Sequence, residues 1–334
     1  MAKVISLVPK DRFITTGVTI PHYLDFIFSE TRNENEIVEL CKYADFIFAS
    51  SGTTYISAGT IKQINTIRMI QIDGVGYEKV DVEFAAEHNL PVANNAGVNS
   101  TTVAESALGM IIALQRRYLI ADKWIKQGRY EEMHRRFVAE GLHELADKKV
   151  GLIGLGAIGT ELAKLLHILN ADIYYYDLVW KSPEVEAEIG IKRMTLDDIL
   201  TECDIVSLHT PLTEQTKNMI NEKALLKMKK SAILINTSRG EIIVQTALAK
   251  VLESGHLAGV GIDTIYPEPP SNTHPLLNLS KTAKERIMLT PHIAGVTLGA
   301  FKRMLVNSID NFNRALADEP LINVVNGIPK ARNN

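Results

Sequence analysis

The chain has 334 residues, 46% of them hydrophobic and 22% charged, with a formal net charge of −3. That length suits two globular domains, and the weakly negative balance excludes a general attraction to nucleic acid. Two cysteines, Cys41 and Cys203, exclude a disulfide framework, no Cys/His cluster has metal-ligand spacing, and the longest apolar run, Ala107 to Leu114, falls far short of the roughly 18 residues of a membrane helix.

The opening run Met1-Ala-Lys-Val-Ile-Ser-Leu-Val-Pro9 is too short for a signal peptide, so a cytoplasmic protein is expected. Lys3 to Val8 reads as a strand, Asn35 to Tyr43 as a helix and Phe46 to Ala49 as a second strand. A helix over Ile56 to Ile64, a strand over Arg68 to Asp73, a helix over Val80 to His88 and a strand over Leu90 to Asn94 follow. Strands alternating with helices imply a parallel sheet covered on both faces. Within this stretch Asp73-Gly-Val-Gly-Tyr-Glu-Lys-Val-Asp81 follows a strand, and glycines on either side of Val75 leave bare N–H groups there. Such a turn is a cradle for a small carboxylate or an ordinary glycine turn, and the residues alone do not separate the two.

Asn99-Ser-Thr-Thr102 opens a long helix, with Thr102-x-x-Glu105 in the pattern of a capping box. Its apolar residues, Val103, Ala107, Leu108, Met110, Ile111, Ile112 and Leu114, cover more than one face, so burial on several sides is expected. From Ile120 to Lys148 the chain turns polar and reads as an arm rather than a core element. Its basic cluster His134-Arg-Arg136 is most simply a solvated face balanced by Glu131 and Glu132. If Arg135 or Arg136 instead reached an active site, across a dimer, the substrate would carry a second anionic group.

The centre of the chain is Lys149-Val-Gly-Leu-Ile-Gly-Leu-Gly-Ala-Ile-Gly-Thr160, a buried strand running into a G-x-G-x-x-G turn. Ala157 to Leu169 has helical periodicity, and the strand after it, Asp172-Ile-Tyr-Tyr-Tyr-Asp177, ends on an acid. This is the order a dinucleotide site needs. Gly154 makes the tight turn, Gly156 lets the backbone approach a pyrophosphate, and Gly159 lets the helix lie close on the sheet. Ala157 and Ile158 bring the positive helix end to the phosphates. Asp177 suits a ribose diol and repels a 2′-phosphate, and Leu178-Val-Trp180 offers no arginine to offset it, so NAD is favoured over NADP.

Further βα units follow, with a strand leading into a loop over Asp204 to Pro211, a strand ending in a polar turn over Ala232 to Gly240, strands over Gly259 to Asp263 and Ile287 to His292, and helices over Thr195 to Thr201, Glu222 to Met228 and Gln245 to Ser254. Ligands of such sheets sit at the carboxyl ends of the strands, so His209, Arg239, Asp263, Glu268 and His292 are the residues of interest. Arg239 suits a carboxylate through its planar fork, His292 suits proton exchange near neutral pH, and Glu268 suits orientation of His292 and stabilisation of its charged form. Beside a nicotinamide this set suits interconversion of a 2-keto acid and a 2-hydroxy acid, although each residue alone has a bland structural reading. A last helix, with Phe301, Met304, Leu305, Ile309, Phe312 and Leu316 at helical spacing, is followed by an extended tail at Leu321 to Val325. The second domain looks complete by Gly295, so this end is expected to return to the first domain.

The chain resembles the D-isomer-specific 2-hydroxyacid dehydrogenases. The matching stretches are Asp73 to Asp81, Asn95-Ala-Gly-Val-Asn-Ser-Thr-Thr-Val-Ala-Glu105, Val150 to Gly159, Leu234-Ile-Asn-Thr-Ser-Arg-Gly240, Gly261-Ile-Asp-Thr-Ile-Tyr-Pro-Glu-Pro269 and Leu289-Thr-Pro-His-Ile-Ala-Gly295. The resemblance implies an α/β protein of two doubly wound parallel-sheet domains. A Rossmann NAD-binding domain, residues 101–295, is inserted into a discontinuous flavodoxin-like substrate domain, residues 1–100 and 296–334. It implies Arg239, Glu268 and His292 as the catalytic set, and Val75 and Gly76 N–H groups, with Arg239, for the substrate. It implies Asp263 on the nicotinamide carboxamide and His209, Thr210 and Pro211 on the adenosine side, with Thr237, Ser238 and Gly295 among the cofactor contacts. The partners implied are a 2-keto or 2-hydroxy acid and a second copy, in a homodimer through the helix that begins near Thr101, with closure about hinges near Ser100 and Gly295.

Some positions depart from the family's pattern. Tyr266 and Pro267 are unusual before Glu268, and Glu241 and Gln245-Thr246 replace the usual small or apolar residues and acid pair after Arg239-Gly240. Two other readings compete. One is formate or phosphite oxidation on the same fold, against which Glu268 argues for formate, since formate dehydrogenases of this superfamily carry Gln there. The other is an NAD-sensing corepressor-like binding protein, which turnover would exclude.

Overall fold

Runs such as Phe46-Ile-Phe-Ala49 and Met69-Ile-Gln-Ile72 bury every side chain, which is the signature of a parallel strand covered on both faces. The computed structural model describes residues 1–332, which form two units: residues 1–99 with those from Val296 onward, and Ser100–Gly295.

The first unit holds β1 (Ala2–Ser6), β2 (Leu24–Phe28), β3 (Phe46–Ala49), β4 (Met69–Ile72) and β5 (Val92–Ala93), all parallel, in the flavodoxin-like order β2-β1-β3-β4-β5. Alternation along the strands sends Ile5, Ile47 and Ile70 to one face and Val4, Phe46, Phe48 and Met69 to the other. The second face is covered by the helix Leu298–Leu316, whose fully buried Phe312 stacks on Phe46 at 5.2 Å. Of the tail after it, Val324 pairs antiparallel with Ala93.

The second unit holds β6 (Lys149–Ile153), β7 (Asp172–Tyr176), β8 (Ile191–Arg193), β9 (Ile205–Leu208), β10 (Ile233–Asn236), β11 (Gly259–Ile262) and β12 (Ile287–Leu289). They are parallel throughout, in the order β12-β11-β10-β9-β6-β7-β8. This is the Rossmann order, with one more strand at the edge and the switch point between β6 and β9. The long helix, Ser100–Gln115, packs on the helix Ala157–Ile168 and on β10 and β11, which accounts for apolar residues on more than one of its faces.

Several elements escaped the sequence reading, among them the two helices of the polar arm described below and the short helix Lys281–Lys284. The helix Lys10–Thr16 and β2 lie between the first expected strand and helix, and the helix Pro183–Ile189 and β8 lie before Thr195. Both missed strands are sheet edges; β8 carries the exposed Lys192 and Arg193, and in β2 Asp25 breaks the apolar run to the three residues Phe26 to Phe28. The capping box is a correction. The helix begins at Ser100, so Thr102 lies inside its first turn and is not the cap.

The polar arm is a pair of helices, Tyr118–Lys126 and Tyr130–Glu140. Arg136 pairs with Glu140 at 2.8 Å, Arg117 meets the same carboxylate at 2.6 Å, and Arg135 donates to the Glu131 carbonyl at 3.3 Å. Glu132 pairs with Arg129, whose guanidinium lies 3.7 Å from the centre of the Trp124 ring. The basic cluster is thus largely balanced by its own helix, through exposed pairs that contribute little stability. Among the described residues no helix is long and apolar enough to cross a membrane, and no group of His, Cys, Asp or Glu is disposed to hold a metal.

Candidate active site

Because each sheet is parallel, the loops after its strands gather at one edge, and His209, Arg239, Asp263, Glu268 and His292 of the second unit and Val75 and Gly76 of the first lie on such loops. In the second unit the glycine turn follows β6. Gly154 has φ +97°, and a Cβ there would lie 2.7 Å from the His209 backbone, so only glycine fits. A Cβ on Gly159 would run into the Gly154 carbonyl oxygen, so the helix Ala157–Ile168 sits as close to the turn as a glycine allows. Gly156 caps that helix, and a Cβ added to it meets nothing within 4 Å. Gly156 and Ala157 are exposed and Ile158 is half-buried, which leaves the helix end approachable. After β7, one Asp177 oxygen accepts from Leu155 N–H at 2.6 Å and the other from Val179 N–H at 3.0 Å, which holds the acid beside the glycine turn with acceptor capacity to spare.

His209 follows β9 across the switch point. Its Nε2 meets Ser207 Oγ at 2.8 Å, while its Nδ1 and the hydroxyl of Thr210 are buried without a partner among the described residues. Burial pushes the imidazole down to about 4, so the ring is neutral at neutral pH. The unfolded chain binds a proton at His209 near 6.5 and the folded chain only near 4. This group therefore contributes stability that is complete above about pH 6.5 and is lost as pH falls towards 4. His209→Gln is expected to lose less stability between those limits than the native chain, as read by denaturant unfolding at a series of pH values. Pro211 is exposed beyond the pair.

After β10 the chain turns sharply. Asn236 Nδ2 donates to the Arg239 carbonyl at 2.8 Å, its Oδ1 accepts from Ser238 N–H at 3.0 Å, and Ser238 Oγ donates to the Leu208 carbonyl at 2.6 Å. The turn is thereby fixed to β9. Thr237 is buried with its hydroxyl unpartnered among the described residues, and Arg239 Nη1 bonds the Ser238 carbonyl at 2.9 Å. Gly240 lies against Ile265 and Tyr266, 2.8 Å from where its Cβ would be, so this turn packs on the loop that follows β11.

That loop carries Glu268, and Asp263 at its root latches the loop after β12. The buried Asp263 carboxylate accepts from Thr290 Oγ1 at 2.6 Å, Ile293 N–H at 2.9 Å and Ala294 N–H at 2.9 Å. Its backbone carbonyl accepts from His292 N–H at 2.8 Å. Gly295, half-buried, comes directly after the latch. His292 is thus held at φ +55°, a left-handed backbone that a non-glycine residue adopts only where its surroundings enforce it. Its Nδ1 lies 2.9 and 3.1 Å from the two Glu268 oxygens. An ionised carboxylate only accepts, so Nδ1 carries the hydrogen and Nε2 faces outward from a side chain 44% exposed. An imidazole held at one nitrogen and open at the other is built to pass a proton.

The first unit contributes a separate feature after β4. Asp73 is buried, paired with Arg12, and accepts from Ser51 N–H at 2.7 Å. Gly74 is pressed against Ser51. Asn94 Nδ2 holds the Val75 carbonyl at 2.6 Å, and Asn95 N–H holds the Gly74 carbonyl at 2.8 Å. Among the described residues nothing accepts from the N–H groups of Val75 or Gly76, both half-buried. The turn therefore presents two donors from a rigid base, as a cradle would.

In the second unit the residues fit a bound dinucleotide. Buried polar atoms without partners, His209 Nδ1, Thr210 Oγ1 and Thr237 Oγ1, lie on the loops around the open glycine turn and an acid with spare acceptor capacity. The sequence reading missed the residues that hold this set: Asn236 and Thr290, polar side chains just where apolar strands end, and Asn94 and Asn95 in the same position after β5. That placement is the signal that identifies them.

The family model for the D-isomer specific 2-hydroxyacid dehydrogenase NAD binding domain matches residues 108–294. A glyoxylate reductase of Thermofilum pendens is 37% identical over 268 residues, 80% of this chain and 77% of that protein. A mitochondrial formate dehydrogenase of Hordeum vulgare is 35% identical over 266 residues, 79% of this chain and 68% of that protein. Among solved structures, an NAD-dependent formate dehydrogenase of Staphylococcus aureus in complex with NAD superposes with a TM-score of 0.80 at 27% identity, covering 97% of this chain and 98% of that one.

Proposed function

Since the chain belongs to the D-isomer specific 2-hydroxyacid dehydrogenase family and is an NAD-dependent dehydrogenase, we propose that it interconverts a small 2-keto acid and the corresponding D-2-hydroxy acid. Bound NADH supplies the hydride to the carbonyl carbon. His292 gives its Nε2 proton to the carbonyl oxygen during reduction and takes it back during oxidation. Glu268 keeps the other ring nitrogen protonated and the ring aimed. Arg239 holds the substrate carboxylate and carbonyl, and the Val75 and Gly76 N–H groups bind the carboxylate. Asp177 holds the adenosine ribose, the Gly154–Gly159 turn the pyrophosphate, His209 to Pro211 the adenosine side, and Thr237, Ser238, Asp263 and Gly295 the nicotinamide end. Residues 101–295 serve as the cofactor domain and the rest as the substrate domain. The protein is cytoplasmic, in keeping with its buried free cysteines, and a homodimer through the long helix.

The observation that carries this reading is the Glu268–His292 pair at 2.9 Å, with the second ring nitrogen open. Glu268 also weighs against formate as substrate, despite the similarity to formate dehydrogenases, because a hydride donor with no proton to lose at oxygen has no use for an acid–base histidine. The test is a panel of glyoxylate, pyruvate, hydroxypyruvate, phenylpyruvate, 2-ketoisocaproate and 3-phosphohydroxypyruvate with NADH and NADPH, and formate with NAD. Turnover of at least one keto acid, with NADH well ahead of NADPH, is expected, and Asp177→Ala should narrow that cofactor gap. Formate oxidation without keto-acid reduction would sink the proposal.

A further inference from the structure

His274 is buried, 5% exposed, and lies outside every role assigned above. Leu276 N–H donates to its Nδ1 at 3.3 Å, so the ring's hydrogen sits on Nε2, which donates to the Tyr266 carbonyl at 2.9 Å. Its own carbonyl accepts from Asn278 Nδ2 at 2.9 Å, which fixes the segment that carries the ring. Tyr266 is the junction of the site. Its backbone N lies 2.8 Å from where a Gly240 Cβ would be, directly behind Arg239, and Glu268 follows two residues later. The Tyr266 side chain is 53% exposed and cannot anchor this loop by burial, and Glu268 and His292 are themselves half in solvent. The loop thus depends on backbone hydrogen bonds for its position, and His274 makes one of them from a buried base.

We propose that His274 is a positioning residue for the Glu268–His292 pair: its Nε2–H clamps the Tyr266 carbonyl and so sets where the Glu268 carboxylate stands against His292 Nδ1. The inference rests on the acid–base role given to His292 above. It separates the two ends of one imidazole. The Nδ1 end serves the local turn at Leu276, and the Nε2 end serves the active site.

Two substitutions divide those ends. His274→Asn places an oxygen near the Nδ1 position and keeps the bond from Leu276 but cannot reach Tyr266. His274→Gln places an amide N–H near the Nε2 position and keeps the clamp. His274→Asn is expected to lower kcat by about 10–100-fold with KM for the keto acid nearly unchanged, as for a catalytic group displaced by about an ångström. His274→Gln should retain most of the native kcat. A second readout needs no turnover. In histidine-15N-labelled protein at alkaline pH, the His292 ring, identified by its loss in His292→Ala, should show hydrogen on Nδ1 in the native chain and in His274→Gln. In His274→Asn it should show a mixture of tautomers. Equal behaviour of the two variants in kcat and in the ring spectrum overturns the proposal, as does failure of both to fold, which would make His274 a requirement of the fold alone. If the native protein reduces no keto acid the functional reading fails, and the ring spectra still decide whether His274 sets the pair.

Discussion

His292→Ala is expected to lose roughly 10²–10⁴-fold in kcat for keto-acid reduction, the usual contribution of a positioned general acid. The loss follows from geometry. Nε2 is the open end of a ring whose Nδ1 is fixed 2.9 Å from Glu268 and whose backbone is fixed by Asp263. With the imidazole gone, water must protonate the forming alkoxide. NADH affinity should hold, because the cofactor contacts proposed above come from the loops after β6, β7, β9 and β10, from Asp263 and from Gly295, and none of them uses the His292 side chain. The pH dependence carries the same information with a definite sign. In the proposed mechanism reduction consumes the proton on His292, so its rate is expected to fall as pH rises, while oxidation needs the bare nitrogen and is expected to rise over the same range. Both limbs should vanish in His292→Ala. Steady-state rates in both directions across pH, with NADH binding measured by fluorescence, check this. A variant that kept its pH limbs would remove His292 from the chemistry.

Arg239→Lys is expected to be nearly as damaging although it keeps the charge, with a loss of about 10²–10³-fold in kcat/KM, the scale of removing one preorganised donor from a developing oxyanion. A guanidinium offers parallel N–H groups in a rigid plane, and an ammonium is a point charge on a flexible stem. The site invests in that plane. Asn236 and Ser238 fix the turn before it, and Gly240 fixes the turn after it against Tyr266. Cofactor affinity should be little changed. Kinetics on the best keto acid, with NADH affinity determined separately, test this, and a near-normal Arg239→Lys would place the carboxylate elsewhere.

The sequence by itself determined the sheet class and the glycine turn, because each of these is local, and it singled out Arg239, Glu268 and His292 as candidates at strand ends. Three glycines at fixed spacing after an apolar run define a strand-to-helix turn, and the close approaches at Gly154 and Gly159 show why no other residue fits. Fully buried parallel strands write themselves as apolar runs, whereas the edge strand β8, with Lys192 and Arg193 exposed and a partner on one side only, does not. The Thr102 capping box fails although the helix starts within the expected Asn99 to Thr102 stretch, at Ser100, since a capping box is a pattern that several registers satisfy. Only the tertiary structure decided which of the strand-end residues meet. Glu268 and His292 are 24 residues apart and touch because Asp263 draws the loop after β12 back onto β11. Likewise Asp177 reaches the glycine turn only through the pairing of β6 with β7. Of the supporting residues, Asn95 and His274 bond to backbone carbonyls of other segments, and Thr290 bonds to the Asp263 carboxylate. A backbone carbonyl looks the same at every position of a sequence, so such partners become legible only once the chain has brought them together.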